Sequence, residues 1–210
     1  MIAGGEISML ALGKLVWLNE MGKKASEMVA ASLSGMVGMD VTMEVASAAI
    51  VAVNEILNVV EFGPEDVAVG VYVGFEGEIG GSALCLYRPE DGKAFAGILL
   101  AGIEDDHSSS DGKILSDMEE SALLELSNVI TSGFIDAWAD ELKLALTQHP
   151  PALVHDFVPA IVEQIMTDIA QKSAYTIAFN TRLLVTDMNI GLDILVLPDV
   201  TGIERLRSGR

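Results

Sequence analysis

Two stretches of helical periodicity stand far apart in this chain, and each is followed by shorter elements and a pair of strands. In the first, about Ile7 to Val37, Leu12, Leu15, Leu18, Met21, Ala25, Met28, Val29 and Leu33 recur at spacings of three and four. That rhythm gathers apolar side chains on one face of an α-helix. Gly35 and Gly38 follow, where such a helix can end. The second stretch begins near Ser116, whose spacing to Glu119 is that of a capping box. It runs to about Leu146, before Pro150 and Pro151. A displacement of 105 residues carries Leu18 onto Leu123, Glu20 onto Glu125 and Ser26 onto Thr131. Periodicity alone produces some such coincidences, but an internal duplication also accounts for the recurring order of elements. The expectation is one domain over 1–210 made of two pseudo-symmetric halves, about 7–103 and about 112–207.

Between the long helices the rhythm changes. Val67, Val69, Val71 and Val73 alternate with smaller residues, Ile79 to Tyr87 reads as a second strand, and Glu76-Gly77 suits the turn joining them. A short helix is expected from about Asp91 to Ala101, and the polar run from Asp105 to Asp111 reads as a linker. Later elements are a helix from about Val158 to Lys172, strands at Ala174 to Val185 and Ile190 to Leu197, and a final turn from Asp199 to Arg207. Amphipathic helices and alternating strands must cover each other's apolar faces. This predicts an α/β two-layer fold, with antiparallel strands on one side and the long helices packed over them.

Half of the 210 residues are hydrophobic but only 5% are aromatic, so Val, Ile, Leu, Met and Ala must build the core. The formal charge is −19, from 31 acidic and 12 basic side chains. No Lys/Arg cluster is present to displace counterions from phosphates, which argues against nucleic acid as a partner; anionic membrane surfaces are disfavoured for the same reason. The acidity admits two readings: the hydrated surface of a protein from a high-salt cytoplasm, as in a halophilic archaeon, or a surface that steers toward a basic partner. The single cysteine, Cys85, lies in an apolar run, and a buried structural thiol in a reduced compartment is expected. His107, His149 and His155 have no metal-ligand spacing and are assigned to loops or surface. Met1 to Leu18 contains Glu6 and Lys14 and does not resemble a signal peptide. Val45 to Val60 is broken by Asn54 and Glu55 and is too short to cross a bilayer. A cytoplasmic protein without membrane insertion is the expectation.

On the second long helix, Ser121, Glu125 and Asn128 stand at i, i+4 and i+7, within an arc of roughly 60°, and Ser132 and Asp136 extend the strip. Leu123, Leu126, Ile130, Phe134, Ala137 and Trp138 fall on the other side, which must face the core. Glu125 and Asn128 are therefore expected side by side and exposed. Taken alone, polar residues on the wet side of an amphipathic helix need no functional explanation.

The wider pattern is more specific. Ser121, three residues, Glu125, two residues, Asn128, twenty-two residues, Pro151 resembles the signature of the CheC, CheX and FliY phosphatases of chemotaxis. Length and the repeated layout are more similar to CheC than to the shorter CheX. The resemblance implies a six-stranded, largely antiparallel sheet with pseudo-twofold symmetry and two site-bearing helices lying side by side, polar faces outward. It also implies hydrolysis of the aspartyl phosphate on a CheY-like response regulator. Asn128 would orient the attacking water and Glu125 would pair with the regulator's active-site lysine. The regulator would supply Mg²⁺, and no cofactor belongs to this chain. Ser121 and Pro151 would support the motif without being catalytic.

The first half departs from the signature: Val16, Glu20 and Lys23 occupy the helical positions and Ala46 the place of the proline. An ammonium only donates hydrogen bonds, whereas a carboxamide both donates and accepts, so Lys23 cannot replace an asparagine. One working site, in the second half, is expected beside a degenerate site at Glu20 and Lys23. The alternative implied by the resemblance is a largely non-catalytic adaptor that binds the deamidase CheD or another chemotaxis protein.

Overall fold

In this computed structural model, which describes residues 3–102, 113–171, 174–185, 188 and 190–199, the first helix α1 spans Ala3–Val37. Strand β1 (Val41–Ala52) follows, then a 3-10 helix (Val53–Val59), the hairpin β2 (Val67–Gly77) and β3 (Gly81–Tyr87), and helix α2 (Pro89–Leu99). The second half holds α3 (Asp117–Leu142), β4 (Leu146–Gln148), β5 (Ala152–Phe157), α4 (Val158–Ala170), β6 (Tyr175–Val185) and β7 (Ile190–Pro198). The expected linker at Asp105–Asp111 and most of the expected final turn after Asp199 lie outside the described residues.

Among the described residues all strands pair antiparallel in one sheet of order β1-β6-β7-β3-β2-β4, with β5 also paired to β2. The sheet thus has seven strands in six positions, because β4 and β5 share one edge. The six-stranded expectation counted positions and missed that the last one is broken. The order has a twofold pattern: β1 and β4/β5 at the edges, β6 and β2 inside them, β7 and β3 at the centre. The displacement that carries Glu20 onto Glu125 also carries Val41–Ala52 onto Leu146–Phe157.

Alternation along the strands divides the apolar side chains between two cores. Val69, Val71, Cys85, Tyr87, Ile194 and Val196 point to the face covered by α1, α2 and α3. Ala68, Leu84, Leu86, Leu195 and Leu197 point to the opposite face, where α4 and the 3-10 helix cover them with Ile56, Ile161, Val162 and Ile165. The long helices lie over one side as expected, but the other side is covered too. The strand β7 shows this most plainly: every residue is buried, with Ile194 and Val196 facing one core, Leu195 and Leu197 the other, and the buried Asp193 carboxylate accepting from the Glu61 N–H.

The long helices cross where Gly133 of α3 meets Val29 of α1; a Cβ on Gly133 would lie 2.5 Å from a Val29 methyl. Lys24 donates to Glu141 across the same seam at 3.1 Å. Beneath it Trp138 is fully buried, edge-on to Phe75 (ring centroids 6.2 Å) and tilted against Phe179 (4.7 Å). The helix α3 is shorter than its periodicity suggests. Lys143 adopts the left-handed conformation and closes it, so Leu146 joins the sheet instead.

Candidate functional site

The capping box forms as the spacing predicts. Ser116 Oγ accepts from the Glu119 backbone N–H at 3.3 Å, and Glu119 Oε2 accepts from the Ser116 N–H at 2.6 Å. From there α3 is seated by Leu123, Leu126, Ile130, Phe134 and Trp138, all buried. Two polar side chains are buried on the same face, one tied to the sheet and one to the helix backbone. Ser127 Oγ shares a 2.7 Å hydrogen bond with the Tyr87 hydroxyl of β3, and Thr131 Oγ1 donates to the Ser127 carbonyl at 2.8 Å. Ser127 lies between Glu125 and Asn128 in sequence, so the helix is tied to the sheet directly beneath the strip of interest.

On that strip Ser121 and Glu125 are exposed, as is Asp136. Ser121 Oγ donates to the Asp117 carbonyl at 2.9 Å, a helix-internal role. Asn128 departs from the expectation of full exposure: it is half-buried. The cause is Gln148 of β4, whose Nε2 donates to Asn128 Oδ1 at 2.6 Å. Ser132 Oγ in turn donates to Gln148 Oε1 at 3.0 Å. The spacing rules did not reveal Gln148. A three-residue strand is too short for its periodicity to be read, and the contact spans 20 residues.

Pro151 sits where β4 gives way to β5. Phe75 of β2 pairs with Gln148 and Tyr72 with Ala152, so His149-Pro150-Pro151 opposes only Val73 and Gly74. This is a bulge with one extra residue, and it suits prolines, which have no N–H to offer the ladder. His149 still donates its N–H to the Gly74 carbonyl at 2.8 Å. The extra residue resets the alternation. Gln148 faces α3 before the bulge, and Leu153, which packs on the same core as α3, does so after it.

The first half presents a different surface. Val16, Glu20 and Lys23 are all exposed on α1, and Lys23 Nζ lies 3.9 Å from Glu27 Oε1. Ala46 falls within the register irregularity between Glu44 and Ser47 of β1, the counterpart of the proline bulge. Met43, the counterpart of Gln148, packs against the core.

The remaining candidates fall into place. Cys85 is buried, and burial pushes its thiol from 9.0 up to about 12, with a hydrogen bond to Ser127 opposing the shift. It is a structural cysteine. His149 is exposed, 3.5 Å from Glu76. His155 corrects the expectation of a loop or surface residue: it is half-buried in β5, and its Nε2 is buried without a hydrogen-bond partner. Desolvation lowers its pKa and the nearby Glu120 charge opposes this. His107 lies outside the described residues. Among the described residues no group of three or more His, Cys, Asp or Glu side chains is arranged to hold a metal ion, and no helix is long and apolar enough to cross a membrane.

The model of the CheC-like family matches residues 118–155, from the first turn of α3 into β5. That segment contains Ser121, Glu125, Asn128, Gln148 and Pro151. The chain is 29% identical to the putative CheY-P phosphatase CheC1 of Halobacterium salinarum, covering 92% of this chain and 94% of that protein. It is 25% identical to the CheY-P phosphatase CheC of Bacillus subtilis, covering 90% of each. Among solved structures it is similar to Thermotoga maritima FliY (TM-score 0.66, 12% identity, 99% of this chain and 97% of the other). It is also similar to the CheX–CheY–BeF3–Mg complex of Borrelia burgdorferi (TM-score 0.54, 16% identity, 85% and 97%). The fold is that shared by CheX and FliY, a curled antiparallel sheet carrying paired long helices. In sequence the chain is thus similar to CheC proteins over most of its length, and its family-model match falls on α3, β4 and part of β5.

Proposed function

We propose that this chain hydrolyses the aspartyl phosphate of a CheY-like response regulator, using Glu125 and Asn128. The observation that carries the reading is their joint placement. An exposed carboxylate and a half-buried, hydrogen-bonded carboxamide lie one helical turn apart on a strip anchored from below by Ser127, inside the segment that matches the CheC-like family.

The chemistry suits these groups. The water oxygen attacks phosphorus in line, the bond from phosphorus to the aspartyl oxygen breaks, the carboxylate leaves, and the water's proton ends on inorganic phosphate. Such a transfer depends on positioning and charge stabilisation more than on covalent help. A carboxamide is no base at neutral pH, so the role of Asn128 is to orient the water. Glu125 pairs with the regulator's lysine and fixes the docking. In this reading the regulator supplies the Mg²⁺ that neutralises charge on the transferring phosphoryl group.

The test is the decay of radiolabelled phospho-regulator in molar KCl, alone, with the wild-type chain and with Asn128→Ala. Faster decay with wild type, and an acceleration smaller by on the order of a hundredfold with Asn128→Ala, is expected. Equal decay in all three eliminates the reading. A second reading, docking of a partner such as CheD with little catalysis, draws on the α1 surface, where Val16 and Met28 are 56% and 54% exposed. Binding of CheD to a wild-type chain that does not speed decay is the outcome that would favour it.

A further inference from the structure

On the reading that Asn128 orients the attacking water, we infer that Gln148 is its positioning residue, holding the carboxamide in the working orientation from the neighbouring sheet edge. A carboxamide at the end of a free side chain turns about its last two bonds. Here the Oδ1 of Asn128 accepts from Gln148 Nε2 at 2.6 Å, and Gln148 is itself held by Ser132 Oγ at 3.0 Å. The bond uses one of the two lone pairs on Oδ1 and neither hydrogen on Nδ2. Asn128 can therefore still accept from a water and donate to an oxygen beside it, with its plane fixed in advance.

The backbone around Gln148 explains why it is there. Its strand pairs with β2 at Phe75, and the His149-Pro150-Pro151 bulge begins at the next residue. The bulge lets Gln148 and Leu153 both face α3, which strict alternation would forbid. Pro151, the last element of the sequence signature, thereby acts on Asn128 through Gln148. The first half shows the matching loss. Lys23 stands at the Asn128 position and Met43 at the Gln148 position. A thioether has no hydrogen to donate, so both members of the pair are missing together.

The experiment compares kcat and KM for phospho-regulator hydrolysis in molar KCl. The proteins are the wild-type chain, Gln148→Ala, Gln148→Met, Asn128→Ala and the double variant Gln148→Ala/Asn128→Ala, each first shown to unfold cooperatively. Gln148→Ala and Gln148→Met should both lower kcat, on the order of tenfold, with KM within about twofold. Gln148→Met keeps the length and loses the hydrogen bond, so a role in packing alone would leave it near wild type. In the Asn128→Ala background, Gln148→Ala should cost nothing further, because the group it positions is gone. An inactive Asn128→Ala beside a fully active Gln148→Met overturns the positioning role and leaves the proposed function standing. Faster turnover by Gln148→Met also overturns it, showing that the bond restrains Asn128. A wild-type chain without activity, or an Asn128→Ala variant as fast as wild type, overturns both.

Discussion

The long helices α1 and α3 occupy corresponding places over the sheet, yet they present opposite surfaces. On α3, a carboxamide is drawn into a hydrogen-bonded line through Gln148 and Ser132, and Ser127 ties the helix to Tyr87 beneath. On α1, the corresponding lysine points to solvent beside Glu27, and the place of Ser127 is taken by Gly22, which lies against Phe179. Buried serines and threonines survive in both: Ser26 donates to the Gly22 carbonyl and Thr131 to that of Ser127, at 2.9 and 2.8 Å. The halves share what seats a helix and differ in what a helix can hold out to a partner. Scaffold and proposed chemistry are separable because seating uses the buried face and the proposed site lies on the other.

The comparison can be broken at its shared foundation first. Trp138→Ala removes a fully buried ring between Phe75 and Phe179 and should cost about 3–5 kcal/mol, read from denaturant midpoints. Next in size is the contrast between faces. Asn128→Ala should lose on the order of a hundredfold in phosphatase rate, while Lys23→Ala stays within about twofold. A large loss with Lys23→Ala would show that the two halves had been assigned the wrong way round.

Smaller effects sharpen the picture. At the helix crossing, Gly133→Ala would push a stiff buried valine, and overpacking by about 1–3 kcal/mol should outweigh any gain in helix propensity. An unchanged or raised melting temperature would mean that the seam gives way easily. The thiol beneath α3 supplies a pH test. Its folded pKa of about 12 lies above the ordinary 9.0, so the folded state keeps its proton while the unfolded state loses it. Stability should therefore be intact below pH 9.0 and fall as pH rises toward 12. Cys85→Ala should flatten part of that fall; an identical alkaline slope in the variant would assign the effect elsewhere, Tyr87 first. The smallest effect is expected from Lys23→Asn combined with Met43→Gln, which rebuilds the pair in the first half. The first half has its own one-residue irregularity but Ala46 in place of the proline, and the gain should not exceed about twofold in total rate.

Much of the second half was legible before any fold was known. The strip Ser121, Glu125, Asn128 and its buried opposite face follow from a 3.6-residue period, which depends only on neighbouring residues. The capping box at Ser116 and Glu119 formed for the same reason. What could not be read were the edges. The strand β1 lies in an apolar run whose alternation is blurred by Ala46, Ala48 and Ala49, and β4 is only three residues long. The histidines were misplaced in one case because His155 owes its half-burial to a strand defined by its partner β2.

The sequence by itself determined which residues share a helix face, which half carries a complete signature and where apolar surface had to be covered. Local geometry decides these, through residues a few positions apart. The tertiary structure alone decided that β4 and β5 share one edge, that helices cover both sheet faces, and that Gln148 meets Asn128 across 20 residues. Such contacts depend on register, and one extra residue in a bulge changes which side chain faces the helix.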